Sequence, residues 1–156
     1  MKQLGQQTKT EKIFGGALTV GGGTFSAPFD TAGLDEGVAY QFGSDASSGA
    51  NPATGHNITY FVYESDDNTS ANATLVDASR IIAPDGLLES NGSIVFTNTV
   101  TVASPTQVQI GVAHTKQYGF IKGVQSTIMP VPFNWIATGF SLDAPTTTNA
   151  ANILVP

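Results

Sequence analysis

Ile58-Thr-Tyr-Phe-Val-Tyr-Glu-Ser-Asp-Asp-Asn-Thr-Ser70 is the stretch on which the fold turns. Ile58, Tyr60 and Val62 alternate with Thr59, Phe61 and Tyr63, a period of two that belongs to a strand and not to a helix. The run then meets Glu64, Asp66 and Asp67, followed by Asn68. Those residues serve a turn, because Asp and Asn side chains bond their own backbone. They are also the best calcium candidates in the chain, since hard cations take several oxygen ligands. The Asp-x-Asp-x-Asp-Gly spacing of a calcium loop is absent, which favours the turn.

The same period recurs outward from this hairpin. Val38, Tyr40 and Phe42 alternate with Ala39 and Gln41, and Val108, Ile110 and Val112 alternate with Gln107, Gln109 and Gly111. Ile136, Thr138, Phe140 and Leu142 alternate with Ala137, Gly139 and Ser141. Further strands are expected at 17–20, 24–29, 73–76, 93–102 and 118–124, all rich in Val, Ile, Thr, Phe and Tyr. The stretch 72–82 fits a helical stripe in part, but its β-branched content and Pro84 favour a strand. Turn signals such as Ala-Pro-Asp-Gly at 83–86 and Ser-Asn-Gly at 90–92 separate the runs. Eight or nine short strands without a convincing helix describe an all-β, antiparallel sandwich.

With 156 residues the chain is the size of one domain. Residues 1–12 read as a basic N-terminal arm, 13–142 as the sandwich, and 143–156 as a C-terminal tail. The polar, Gly-rich run at 43–56 is too long for a hairpin turn and reads as a surface excursion. Lys2, Lys9 and Lys12 in the arm, and Ile153, Leu154 and Val155 in the tail, are candidate partner contacts; frayed chain ends are the plainer alternative.

Charged residues make up 12% of the chain and the formal charge is −6. An acidic surface with only six scattered basic residues repels phosphate backbones, so nucleic acid is not an expected partner. The start lacks the apolar core of a signal peptide and no segment has the length of a membrane helix, so neither ordinary secretion nor membrane insertion is expected. With no cysteine, thiolate catalysis and thiolate metal sites are absent. His56 and His114 are the only histidines, too far apart to form a short-spaced ligand pair, and no nucleophile elbow accompanies them. His114 reads as a strand-end residue, facing solvent or making a hydrogen bond. No cofactor and no enzymatic activity are expected.

The order of these features resembles a known family. A hairpin around Ser65-Asp66-Asp67 is followed by Ala73-Thr-Leu-Val-Asp-Ala-Ser-Arg-Ile-Ile82, and later by Tyr118-Gly-Phe-Ile-Lys-Gly-Val-Gln-Ser-Thr127. This is similar to the small jelly-roll cement, or head-decoration, proteins of tailed bacteriophages, of the kind found on a Bordetella podovirus. Gly119 and Phe120 stand where that family often has an arginine. The resemblance, over residues 35–142, implies a jelly-roll sandwich on the outer surface of the virion. It further implies that the protein bridges neighbouring major capsid proteins as a dimer or trimer, with no cofactor. A carbohydrate-binding sandwich module, as in a phage fibre, is the alternative, with Trp135, Tyr40 or Tyr63 as a stacking platform. Trp135 also has the surroundings of a core residue.

Overall fold

The computed structural model describes residues 6–18, 22–34, 37–44, 57–97, 107–125 and 133–142. Eleven strands run through them in two sheets: β1 Gln6–Gly16, β2 Thr24–Phe25, β3 Phe29–Asp30, β4 Gly37–Ser44, β5 Asn57–Ser65, β6 Thr74–Leu75, β7 Ile81–Ile82, β8 Ser93–Thr97, β9 Gln107–Val112, β10 Tyr118–Gln125 and β11 Phe133–Leu142. Four of these are two-residue pieces, which is why the count exceeds the eight or nine expected. The first sheet has the order β1-β11-β4-β9-β7. The second is built on β10 and β5: β2 and β3 pair along one edge of β10, while β6 and β8 pair along the far edge of β5.

Taking β2 with β3, and β6 with β8, as single interrupted strands leaves four long positions in each sheet. The chain alternates between the sheets as it passes through them, except from β5 to its neighbours β6 and β8, which lie in the same sheet, and all the pairs are antiparallel. That is the jelly roll.

Two bulges close one side of the sandwich. Phe25 pairs with Lys122 and Phe29 with Gly119, so the β2–β3 side carries one residue more than β10. Within the bulge the Ser26 N–H donates to the Ile121 carbonyl (2.8 Å), and the Ser26 Oγ accepts from the Ile121 N–H (3.0 Å). The hydroxyl stands in for a ladder carbonyl. On the other sheet, β1 shifts register between Lys12 and Phe14, leaving Ile13 as its extra residue. The Ala27 N–H then donates to the Ile13 carbonyl at 2.8 Å, tying the two sheets together.

The alternations at β4, β5 and β9 point as read: Val38, Tyr40, Phe42, Ile58, Tyr60, Val62, Val108, Ile110 and Val112 are all buried. Strand β11 runs in the opposite phase, burying Trp135, Ala137 and Gly139, while Ile136 and Thr138 on its other face are half-buried. Trp135 is the reason. It is fully buried, stacks on Phe14 (centroids 4.3 Å) and meets Phe42 and Tyr60 edge-on. The small residues after it make room, since a Cβ on Gly139 would run into Leu34 and approach the Phe29 ring to 3.2 Å.

Three local expectations are corrected. Residues 6–12, read as part of an arm, form the first part of β1, where Thr, Lys and Glu alternate along an edge strand. Residues 72–82 are not one strand: Asp77 accepts from the Ser79 N–H (2.9 Å) and hydroxyl (2.6 Å), and this turn chemistry breaks the run into β6, a 3-10 turn at Ala78–Arg80 and β7. Ala17 and Leu18 lie outside any strand, although Leu18 is buried and its carbonyl accepts from the Gln125 side chain. Most of the expected excursion at 43–56 and all of the tail at 143–156 lie outside the described residues.

Candidate functional site

The acidic end of β5 resolves into three different fates. Asp67 is the turn residue: its Oδ1 accepts from the Thr69 N–H (3.1 Å) and the Ser65 hydroxyl (3.0 Å), and its Oδ2 from the Asn72 amide (2.8 Å). Those bonds, led by the one from Asn72, hold its pKa below the usual carboxylate value. Asp66 is exposed and lies 3.8 Å from the Lys116 ammonium. Glu64 turns inward. The three carboxylates diverge, and no group of three metal-ligating side chains occurs among the described residues.

Glu64 is the centre of a buried polar network. Alternation along β5 puts it on the core face after Ile58, Tyr60 and Val62. Arg80, delivered by the 3-10 turn, binds it bidentately through Nη2 to Oε1 (2.7 Å) and Nη1 to Oε2 (3.1 Å). The Thr115 N–H and hydroxyl each donate to it at 2.9 Å. His114 Nδ1 lies 3.4 Å from Oε2, while its Nε2 lies 2.7 Å from the Tyr40 hydroxyl. A carboxylate only accepts, which assigns the imidazole proton to Nδ1; Tyr40 then donates to Nε2. The line Tyr40–His114–Glu64–Arg80 spans both sheets and the β9–β10 turn.

The electrostatics agree with a closed structural network. Burial pushes Glu64 up, but the Arg80 hydrogen bonds, those from Thr115 and the Arg80 charge together bring its pKa from 4.5 down to about 2. Burial lowers the His114 pKa, outweighing the opposing pull of Glu64, so the ring is neutral at pH 7. Burial, with the nearby Glu64 charge, raises Tyr40 far above the usual phenol range. Tyr40 is fully buried and the His114 side chain is only 2% exposed. The hydroxyl has the partners of an activated nucleophile but no access for a substrate. A groove of about 480 Å³ passes over this region, lined by Thr31–Leu34 and His114–Gln117.

Gly119 belongs to this site. A Cβ there would collide with the Tyr40 hydroxyl and come within 2.7 Å of His114 Nε2. Glycine at this position lets the tyrosine reach the histidine.

The network dictates an acid limb. Glu64 has a folded pKa below its unfolded one, so its stabilisation is complete above about pH 4.5 and is lost as pH falls towards 2. The amount is on the order of 3 kcal/mol. His114, also depressed in the folded state, adds a decline that starts as pH drops below about 6.5. Thermal melts between pH 7 and pH 2 should show both, and Glu64→Gln should remove the steep part below pH 4.5.

The outward face of the second sheet has a different character. Antiparallel partners share a face, so the rows Phe25–Lys122–Phe61 and Phe120–Tyr63–Leu75 point away from the core. Phe25 meets Tyr63 edge-on with ring centroids 5.2 Å apart, and the Lys122 ammonium sits 5.4 Å over the Phe25 ring. Phe25, Phe61 and Tyr63 are half-buried, Leu75 is 42% exposed, and Phe120 is covered. This is an aromatic patch on a surface that could have been polar.

The candidate contacts and platforms from the sequence are distributed differently. Lys9 is engaged within the chain: it pairs with Glu11 (3.3 Å), donates to the Asp30 carbonyl (3.2 Å) and lies 4.9 Å from the centre of the Phe29 ring. Lys12 is exposed on β1. Lys2, Ile153, Leu154 and Val155 lie outside the described residues. Trp135 and Tyr40 are core and cannot serve as platforms, whereas Tyr63 faces outward. The network around Glu64 was missed in the sequence; its signal was a carboxylate in phase with the buried residues of its strand.

No protein-family model and no curated protein sequence matches this chain. Among solved structures, the SPBc2 prophage-derived protein YomS superposes with a TM-score of 0.51 at 7% identity, over 90% of this chain and 99% of that chain. At that identity the likeness is one of fold. A cleaved adhesin domain of Lys-gingipain from Porphyromonas gingivalis aligns with a TM-score of 0.39 and 16% identity, over 86% of this chain and 73% of that chain.

Proposed function

We propose that the chain is a structural protein of a phage virion, a decoration protein that binds the outside of an icosahedral head and bridges neighbouring major capsid proteins. The observation that carries this reading is the aromatic patch on the outer face of the second sheet, beside a polar network whose His114 and Glu64 side chains are only 2% and 4% exposed. A jelly roll with a closed interior and an apolar outer face is built to dock on another protein. The role is mechanical and involves no reaction and no cofactor. Support comes from the order of strands and turns that resembles the cement family, and from a prophage-derived protein with a similar fold. Many modest contacts repeated over a symmetric shell stabilise it through multivalency, so no single strong site is needed.

Isolated expanded phage heads stripped of decoration provide the test. The protein should cosediment with them and raise their melting temperature, and Phe61→Asp should reduce shell occupancy at least tenfold while the free domain stays folded. Absence of cosedimentation with expanded heads would overturn the reading. The second reading, a carbohydrate-binding module, keeps only Tyr63 of its expected platform, with Phe25 packed edge-on beside it; glycan binding lost in Tyr63→Ala, without head binding, would select it.

A further inference from the structure

Among the described residues strand β1 forms the outer edge of the first sheet and pairs only with β11. Its other side is engaged at Ile13, where Ala27 donates to the carbonyl; among the described residues no backbone group bonds the stretch Thr8–Lys12 from that side. An edge of this kind is a template for another strand. Its sequence is Thr-Lys-Thr-Glu-Lys, and the order of charges is self-complementary when read against itself in the antiparallel sense.

We propose that two copies of this chain associate edge to edge through Thr8–Lys12 of β1, about a two-fold axis at Thr10. In that register Lys9 faces Glu11 of the second copy, Glu11 faces its Lys9, the two Thr10 side chains meet on the axis, and Thr8 faces Lys12. The alternatives that keep inner faces inward shift the axis by one residue. Centring on Lys9 puts two lysines opposite each other, and centring on Glu11 puts two glutamates opposite each other, both unfavourable. Registers with the axis between residues would put outward side chains opposite inward ones. Charge and face therefore select one arrangement, an isologous pair in which the first sheet continues across the axis. The Lys9–Glu11 ion pair within one chain already holds both groups on one face of the strand (3.3 Å). The Ala27 bond at Ile13 ends the free edge and limits the pairing to these residues. Such a contact is smaller than the roughly 1,200 Å² of a stable interface, so the dimer is a weak one, favoured where copies are held close together.

Two measurements on the full chain test this. Sedimentation equilibrium at increasing protein concentration should show a monomer–dimer equilibrium that weakens with added salt. Lys9→Glu should weaken it about tenfold, since it places like charges opposite at two symmetric positions. The double variant Lys9→Glu/Glu11→Lys should restore it. The second measurement uses the absence of native cysteine: Thr10→Cys sits opposite itself at a spacing a disulfide can bridge, and mild oxidation should link it at least tenfold faster than Thr8→Cys. A monomer at all concentrations, equal linking of the two cysteine variants, or a double variant no better than Lys9→Glu would overturn the proposal. These assays read self-association alone, so their failure leaves head binding through the second sheet untouched.

Discussion

Arg80→Met should destabilise the protein by about 3 to 5 kcal/mol, because it leaves the Glu64 carboxylate buried without its bidentate partner. In a domain of this size that lowers the melting temperature by roughly 10 °C or more. The Glu64 side chain is 4% exposed and cannot recover water in exchange for the lost guanidinium. The variant also frees the Ala113 carbonyl and the Thr115 hydroxyl, both bonded by Arg80 Nη1. A simple loss of packing would be independent of pH; this loss has a pH signature. Without Arg80 the Glu64 pKa rises, so protonating the carboxyl relieves the penalty, and the gap between variant and native protein should narrow from pH 7 towards pH 4. Denaturant unfolding at the two pH values measures it. A loss below 1 kcal/mol, or a gap constant with pH, would show that the network does not pin the sandwich at this end.

That network also marks where sequence reading stops. The period-two runs at Val38–Phe42, Ile58–Val62 and Val108–Val112 identify buried faces because strand geometry is local: alternate side chains share a face whatever the partners. Topology is partly legible too, since short strands separated by turn residues leave few ways to close two sheets. The split of β2 from β3 is not legible, because it depends on Ser26 replacing a carbonyl for a strand 95 residues further along. Strand β11 misleads for a similar reason. Its bulkier alternate set is Ile136, Thr138, Phe140 and Leu142, yet Trp135 sets the phase, and the small inward residues fit Leu34 and Phe29 from another part of the chain. The partners of Glu64 lie 16 and 50 to 51 residues away, and Asp66 shares its parity, so nothing in its own neighbourhood distinguishes the two except that β5 ends at Ser65, between them. The aromatic outer face of the second sheet is legible only once β2, β10 and β5 are known to be neighbours.

Gly123→Ala should destabilise the core strongly for so small a change. A Cβ at this position would lie 2.6 Å from both Cη2 and Cζ2 of Trp135 and 3.3 Å from Leu18 Cδ1. Overlaps with the far end of a flexible side chain relax, but this one falls on a rigid indole. The ring is stacked on Phe14 and held edge-on by Phe42 and Tyr60, which are themselves stacked 4.1 Å apart. Moving the indole therefore shifts the whole aromatic cluster. Overpacking a core of this density costs about 1 to 3 kcal/mol, and the rigidity of the cluster places this case near the upper figure, roughly 6 to 12 °C in melting temperature. The size of the ring is the cause, so a smaller ring should compensate. Trp135→Phe alone opens a cavity and destabilises, but combined with Gly123→Ala it should cost less than the two separate losses together, with a coupling of about 1 kcal/mol or more. Trp135 is the only tryptophan, so its emission follows the core in the Gly123→Ala variant, while far-UV circular dichroism serves where the ring is replaced. Additive losses in the double variant, or a Gly123→Ala protein as stable as the native one, would mean that the sheets can separate at this point and that Trp135 does not set their spacing.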